Sequence, residues 1–238
     1  MKIWTLQDVA AHWDSEPNYD EINSKIDSYF RRFTDSAPLF AIPDGAHVLD
    51  VDCRTAKGTI FFKEKYPNTT FQCMAMSPTF KERSLQNLQS SGVEANVGIF
   101  DALPLPFGDA SFDVVLTYET LEHVPWPAKY IQELSRMLKP GGQLILTTPN
   151  VLWEPVHWLS AKLHLDHGEG PHRMVPRREI LSAFKDAGLE VATERTFVLI
   201  PAGPRFLIGL GKLIERVLPE FLLLCLALRR TFICTKHA

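Results

Sequence analysis

The chain has 238 residues, 45% of them hydrophobic and 22% charged, with a formal net charge of -3. That length and composition exclude a disordered chain and leave room for one well-buried domain with a small appendage, not for two full domains. The weak negative balance gives no global field to attract nucleic acid, so no nucleic-acid partner is expected. Cys53, Cys73, Cys225 and Cys234 lie far apart with no C-x-x-C spacing, which reads as reduced thiols rather than a disulfide framework or a zinc site.

Residues 1–45 read as a helical cap, in which Tyr19, Ile22, Ile26, Tyr29 and Phe33 make an apolar stripe. The stripe packs on the domain or forms a lid over a site, and Tyr19 is then a candidate substrate contact. The Met1-Lys-Ile-Trp start has no apolar core of signal-peptide length, so a cytoplasmic protein is expected. From residue 46 to 238 strand and helix periods alternate, the pattern of a parallel sheet covered on both faces. His47 to Val51, Phe71 to Met76, Ala95 to Ile99, Phe112 to Thr117 and Gln143 to Thr148 read as the first five strands. Ser77-Pro78 opens a helix as N-cap and first-turn proline, and Pro127 to Leu138 carries apolar residues at helical spacing until Lys139-Pro-Gly-Gly142 stops it. A helix over Arg177 to Ala187, a strand over Glu190 to Leu199, one or two apolar helices within 204–229 and a strand over Thr231 to Thr235 complete the order.

Three segments carry chemistry: Val48-Leu-Asp-Val-Asp-Cys-Arg-Thr-Ala-Lys-Gly58, Asp101-Ala-Leu-Pro-Leu-Pro-Phe107 with Ser111 to Tyr118, and Leu138-Lys-Pro-Gly-Gly-Gln-Leu-Ile-Leu146. In this format the chain resembles the class I S-adenosylmethionine-dependent methyltransferases of the small-molecule "type 11" kind, with a degenerate glycine-rich loop. The resemblance implies an α/β, doubly wound, mostly parallel seven-stranded sheet with an antiparallel last strand, a Rossmann-like methyltransferase fold. It implies S-adenosylmethionine as cofactor and a small-molecule or lipid-linked acceptor.

The family's loop runs Gly-x-Gly-x-Gly where this chain has Asp52, Arg54 and Ala56, each costing about 1–2 kcal/mol at a left-handed backbone angle. Arg54 either pairs with the cofactor's carboxylate or folds back on Asp52 or Asp50 and plugs the pocket; Gly58 leaves a shifted register open. On the resemblance, Asp50 lies near the methionine moiety. Ala75 and Met76 stand at the ribose, where the family has an acid, and Asp101 and Ala102 at the adenine. Tyr118 lines the methyl-donor path, and Glu119 and His123 face the acceptor, His123 as a group that orients or deprotonates a hydroxyl. Its bland alternative is a structural hydrogen-bonder before Pro125. The 150–176 segment reads as an acceptor loop with His167 and His172 as candidate contacts; its His and acidic spacing matches no metal motif, and no metal is expected.

Phe206 to Leu228 is too interrupted by charge and proline to span a bilayer, but it leaves peripheral membrane contact or a homodimer open, besides plain core packing. The second functional reading is a methyltransferase-like binding or scaffold protein that no longer transfers methyl groups. Asp52, Arg54, Ala56 and Ala75 motivate it.

Overall fold

The computed structural model describes residues 4–16, 18–156, 159 and 170–237. Helices α1 (Leu6–Asp14), α2 (Tyr19–Ser24) and α3 (Asp27–Thr34) precede strand β1 (His47–Val51). Then follow α4 (Lys57–Lys65), β2 (Thr70–Ala75), α5 (Pro78–Ser90), β3 (Ala95–Ile99), β4 (Phe112–Tyr118) and α6 (Pro127–Met137). The chain ends with β5 (Leu138–Pro149), α7 (Arg177–Asp186), β6 (Leu189–Phe197), α8 (Arg205–Val217), α9 (Glu220–Leu226) and β7 (Arg229–Lys236).

The strands form one sheet in the order β3-β2-β1-β4-β5-β7-β6. β1 to β5 pair in parallel, and β7 runs antiparallel between β5 and β6. This is the seven-stranded, doubly wound arrangement expected from the resemblance. One boundary differs. β5 starts at Leu138, so Lys139-Pro-Gly-Gly142 lies within the strand as an irregularity, with Phe112 opposite Leu138 and Val114 opposite Gln143. Gly141 takes φ 75°, and a Cβ on Gly142 would sit 2.9 Å from the Lys139 carbonyl oxygen, so this pair of glycines lets the chain fold tightly back beside β4.

The central strands β1, β4 and β5 are buried almost throughout, because helices cover both faces. α1 to α3 share the same core: Leu6, Val9 and Trp13 belong to one buried cluster with Phe62, Phe80 and Leu116. Gly58, in the first turn of α4, permits the close approach of α3, since a Cβ there would stand 2.7 Å from Phe33 Cε1. Gly58→Ala should destabilise the fold by about 1–3 kcal/mol through overpacking, measured by chemical denaturation. A neutral result would mean that α3 moves away without cost.

Asp50 is the one acid on the inner length of β1. It is buried, and Thr59 Oγ1 donates to its Oδ2 at 2.5 Å. Burial, against the help of that hydrogen bond and with Asp52 adding to it, pushes its carboxyl up to about 7. The native state therefore binds this proton more tightly than the unfolded chain does, whose aspartate has the ordinary value near 3.8. Its contribution to stability is full at low pH, falls as pH climbs from about 4 to about 7, and is then gone. The melting temperature of the wild type should lose ground to Asp50→Asn across that interval; parallel melting-temperature profiles from pH 4 to 8 would overturn the assignment.

Candidate functional site

The strand order changes direction between β1 and β4, and an open α/β sheet takes its ligands in the crevice outside the carboxyl ends at such a point. The loop leaving β1 enters this crevice with Asp52, Arg54 and Ala56 at φ 58°, 53° and 61°. Alternate residues are thus left-handed in the positions where the resemblance expects glycines, and the register has not shifted. The surroundings hold the strain in place: the Cys53 N–H donates to Met74 O at 2.9 Å, and Ser84 Oγ donates to Arg54 O at 2.8 Å.

The side chains of this loop turn inward. Arg54 Nε lies 2.8 Å from Asp52 Oδ2, and both side chains are buried. An Arg54 Nη2–H donates to the Glu119 carbonyl at 2.7 Å, and the guanidinium lies 4.4 Å over the Trp13 ring. It thereby bridges the tips of β1 and β4 under α1. Of the two arrangements left open by the sequence, this is the folded-back one, with Asp52 and not Asp50 as partner. Burial pushes the Asp52 carboxyl up, and the Arg54 cation pulls back against it.

The N-terminal helices close over the loop. Trp13 stacks on Phe80 at 5.7 Å and meets Tyr19 edge-on at 5.6 Å. Trp4 Nε1–H donates to His123 O at 3.0 Å, and Thr55 Oγ1 donates to Asp20 Oδ1 at 2.6 Å. Gln7 Nε2 reaches the Asp101 carbonyl at 3.3 Å. Trp13 and Asp20 were not singled out from sequence. Trp13 had a signal, since Leu6, Val9 and Trp13 recur on one helical face; Asp20 had none.

His123 is buried, with Nδ1 3.2 Å from the Pro171 carbonyl. A carbonyl can only accept, so Nδ1 carries the proton and Nε2 keeps its lone pair; Nε2 is buried without a hydrogen-bond partner among the described residues. Burial, with the Arg54 cation adding to it, lowers this imidazole well below the usual histidine range, so it is neutral around pH 7. Next to it lies a cleft of about 660 Å³ lined by Trp4, Asp8, Ala11, His12, Gly170, Pro171 and His172. His172 Nδ1 lies 2.9 Å from Gly170 O, and its ring is 6.2 Å from that of His123.

The other expected site residues are spread more widely. Glu119 sits at φ 55°, and its carboxylate accepts from Arg229 Nε at 3.1 Å; the Arg229 and Arg32 cations outweigh burial and hold it below the usual glutamate range. Arg229, 110 residues away in sequence, was invisible as its partner. Tyr118 turns toward α3 and α4, where its hydroxyl is 3.0 Å from Ser36 Oγ and its ring stacks on Phe62. Asp50 faces α4, as described above. Tyr19 is buried among Trp13, Tyr29 and Phe80. Ala75 and Met76 are buried at the end of β2, while Asp101 and Ala102 are exposed after β3. His167 lies outside the described residues.

S-adenosylmethionine, implied by the resemblance, fits the backbone of this crevice but not the side chains as packed. The alternating left-handed loop, the exposed Asp101 and the unpartnered His123 Nε2 match a nucleoside ligand at the strand ends. On the resemblance, the Arg54 guanidinium would meet the amino-acid tail of that ligand, and Ala75 would offer the ribose no carboxylate.

A family model described as a methyltransferase domain matches residues 49–146. Among curated proteins, the chain is 35% identical over 132 residues to the 2-methyl-6-phytyl-1,4-hydroquinone methyltransferase of Synechocystis sp., covering 55% of this chain and 40% of that protein. It is 27% identical over 197 residues to the 27-O-demethylrifamycin SV methyltransferase of Amycolatopsis mediterranei, covering 79% and 68%. The chain thus spans less than half the length of the first of these relatives. Among solved structures, the [4+2]-cyclase SpnF superposes with a TM-score of 0.73 at 16% identity, over 98% of this chain and 97% of that one, which shows a shared fold. The matched segment is a methyltransferase domain, and the strand order is the one expected from the resemblance to the class I S-adenosylmethionine-dependent methyltransferases.

Proposed function

We propose that the chain transfers a methyl group from S-adenosylmethionine to a small-molecule or lipid-linked acceptor. The observation that carries the reading is the loop at Asp52, Arg54 and Ala56, which keeps the left-handed backbone of a cofactor loop although its residues make that backbone costly. The two relatives named above, one acting on a phytyl hydroquinone and one on a demethylrifamycin, support the acceptor class.

The loop backbone at 52–56, Ala75 and Met76, and Asp101 with Ala102 are the groups that would hold the cofactor, which when bound supplies an electrophilic methyl. The acceptor enters the cleft between α1 and Gly170 to His172, whose lining residues Trp4 and Pro171 touch the buried His123. Neutral His123 takes the acceptor's proton at Nε2, while the Pro171 carbonyl fixes its tautomer. Glu119 acts through position: its pairing with Arg229 ties β7 to the end of β4, and its backbone carbonyl receives Arg54. Closure of α1 over the crevice keeps water from the reacting atoms.

S-adenosylhomocysteine titrated into the full chain tests the reading. Arg54 and Trp13 must separate for it to bind, so Arg54→Ala should tighten it by about tenfold or more, equivalent to about 1.4 kcal/mol. Weaker binding would show that the guanidinium clasps the ligand's carboxylate instead of blocking it. Absence of heat or thermal shift at millimolar ligand, in both the wild type and Arg54→Ala, would favour the binding or scaffold protein.

His123→Gln should lower the turnover of a hydroxylated acceptor by about 10²- to 10⁴-fold, with ligand affinity kept. Because the working form is the free base and its ionisation lies below the ordinary histidine range, wild-type turnover should stay level on going from pH 8 to pH 6. A decline through that interval would point to another base.

A further inference from the structure

We infer that α8 and α9 dock the protein onto an anionic lipid bilayer, on the same edge of the sheet as the cofactor crevice. α8 carries apolar side chains on its outer face as well as its inner one. Two of its polar side chains tie it to the protein: Lys212 Nζ lies 2.7 Å from Asp27 Oδ1, and Glu215 pairs with Arg31 and accepts from the Leu199 N–H at 2.8 Å. Four of its apolar side chains face outward. Phe206, Leu210, Leu213 and Val217 follow one another at helical spacing with exposures of 72%, 47%, 57% and 73%. Phe221 and Leu226 extend the stripe along α9. A helix covering a core would point these side chains in; here the Lys212–Asp27 and Glu215–Arg31 pairs tie the other side of α8 to α3 and leave the stripe outward.

The surface widens across a third segment. Leu152 and Val156, after β5, are 63% and 50% exposed. Trp153 Nε1–H donates to Leu226 O at 2.9 Å, and Asn150 Nδ2–H donates to the Cys225 and Ala227 carbonyls, so this segment and α9 are fastened side by side. Asn150 follows the carboxyl end of β5, which places the patch on the ligand edge of the sheet.

Charge selects the occupant. Arg205 and Arg216 are eleven residues apart, hence nearly in line on α8, beside the apolar stripe. Both are exposed, and neither has an ion-pair partner among the described residues. Glu220, the exposed acid of α9, is already paired with Arg195. A row of cations along an apolar stripe is the arrangement by which a helix lies in the headgroup region of an anionic membrane. A second copy on the same face is disfavoured, since two-fold pairing of α8 along its axis brings arginine against arginine. No helix among the described residues is long and apolar enough to cross a membrane, so the contact is peripheral. Docking stands on the surface alone; its consequence, that the acceptor is drawn from the bilayer as a lipid, rests on the function proposed above.

Co-sedimentation of the full chain with vesicles tests it, comparing mixed phosphatidylcholine and phosphatidylglycerol with phosphatidylcholine alone. The chain should pellet with the mixed vesicles and be released by salt. Arg205→Gln/Arg216→Gln should weaken binding to the mixed vesicles roughly fivefold per arginine. Leu213→Ser/Val217→Ser should abolish it, with the unfolding midpoint and S-adenosylhomocysteine affinity unchanged, which separates a failure here from a failure of the methyltransferase reading. Three results would overturn the inference: no binding to either vesicle, binding indifferent to Leu213→Ser/Val217→Ser, or a dimer in solution that the same pair of substitutions dissolves.

Discussion

A guanidinium withdrawn from water must find anions, carbonyls or ring faces, and Arg54 finds one of each: Asp52, the Glu119 carbonyl and the Trp13 ring. Each comes from a different part of the molecule, respectively the loop after β1, the end of β4 and the N-terminal cap. One side chain therefore ties together the two sides of the crevice and its cover. A lysine would not serve as well, because only a planar fork can lie on an indole and reach two oxygens in different directions. The packing of α1 over the loop after β1 rests on this contact.

The same cation shapes the acid–base character of the site. His123 is kept neutral by burial first and by Arg54 second, and Asp52 is raised by burial and lowered by Arg54. Movement of Arg54 out of the crevice would therefore free the imidazole from a nearby positive charge and make it a stronger base. It would also leave Asp52 with more reason to hold a proton. Arg54 thus bears on the ionisation of both groups. The second buried pair, Arg229 with Glu119, has no such freedom, because Arg229 also donates to the Ser28 carbonyl at 2.7 Å and anchors α3.

The fold was legible because β1, β4 and β5 are continuous apolar runs and the helices between them carry their own stops; Ser77-Pro78 does act as cap and first turn, with the Phe80 N–H donating to Ser77 Oγ at 3.1 Å. The Lys139 to Gly142 segment misled at its boundary, because glycines that end a helix also permit a strand to begin irregularly. The loop register could be read from spacing alone, since the positions that need a left-handed backbone are set by the turn and not by the residue that fills them. The direction of each side chain could not. Tyr118 and Tyr19 are placed by residues far away in sequence, and the partner of Glu119 is distant too. Hydrogen-bond partners across 65 or 110 positions leave no periodic trace.

The loop itself argues against a site merely worn away. Glycine at 52, 54 and 56 would relieve the backbone of about 1–2 kcal/mol at each position, so a loop kept only to connect β1 to α4 gains nothing from Asp52 and Arg54. Nor does the buried pair offset this on its own, since burying two charges consumes most of what their attraction returns. What the pair does provide is a contact between loop and cap: Arg54 lies on the Trp13 ring while it pairs with Asp52. A loop with glycine at these positions has no side chain to make that contact. The residues that make the cofactor loop look degenerate are then the ones that fasten it to the N-terminal cap.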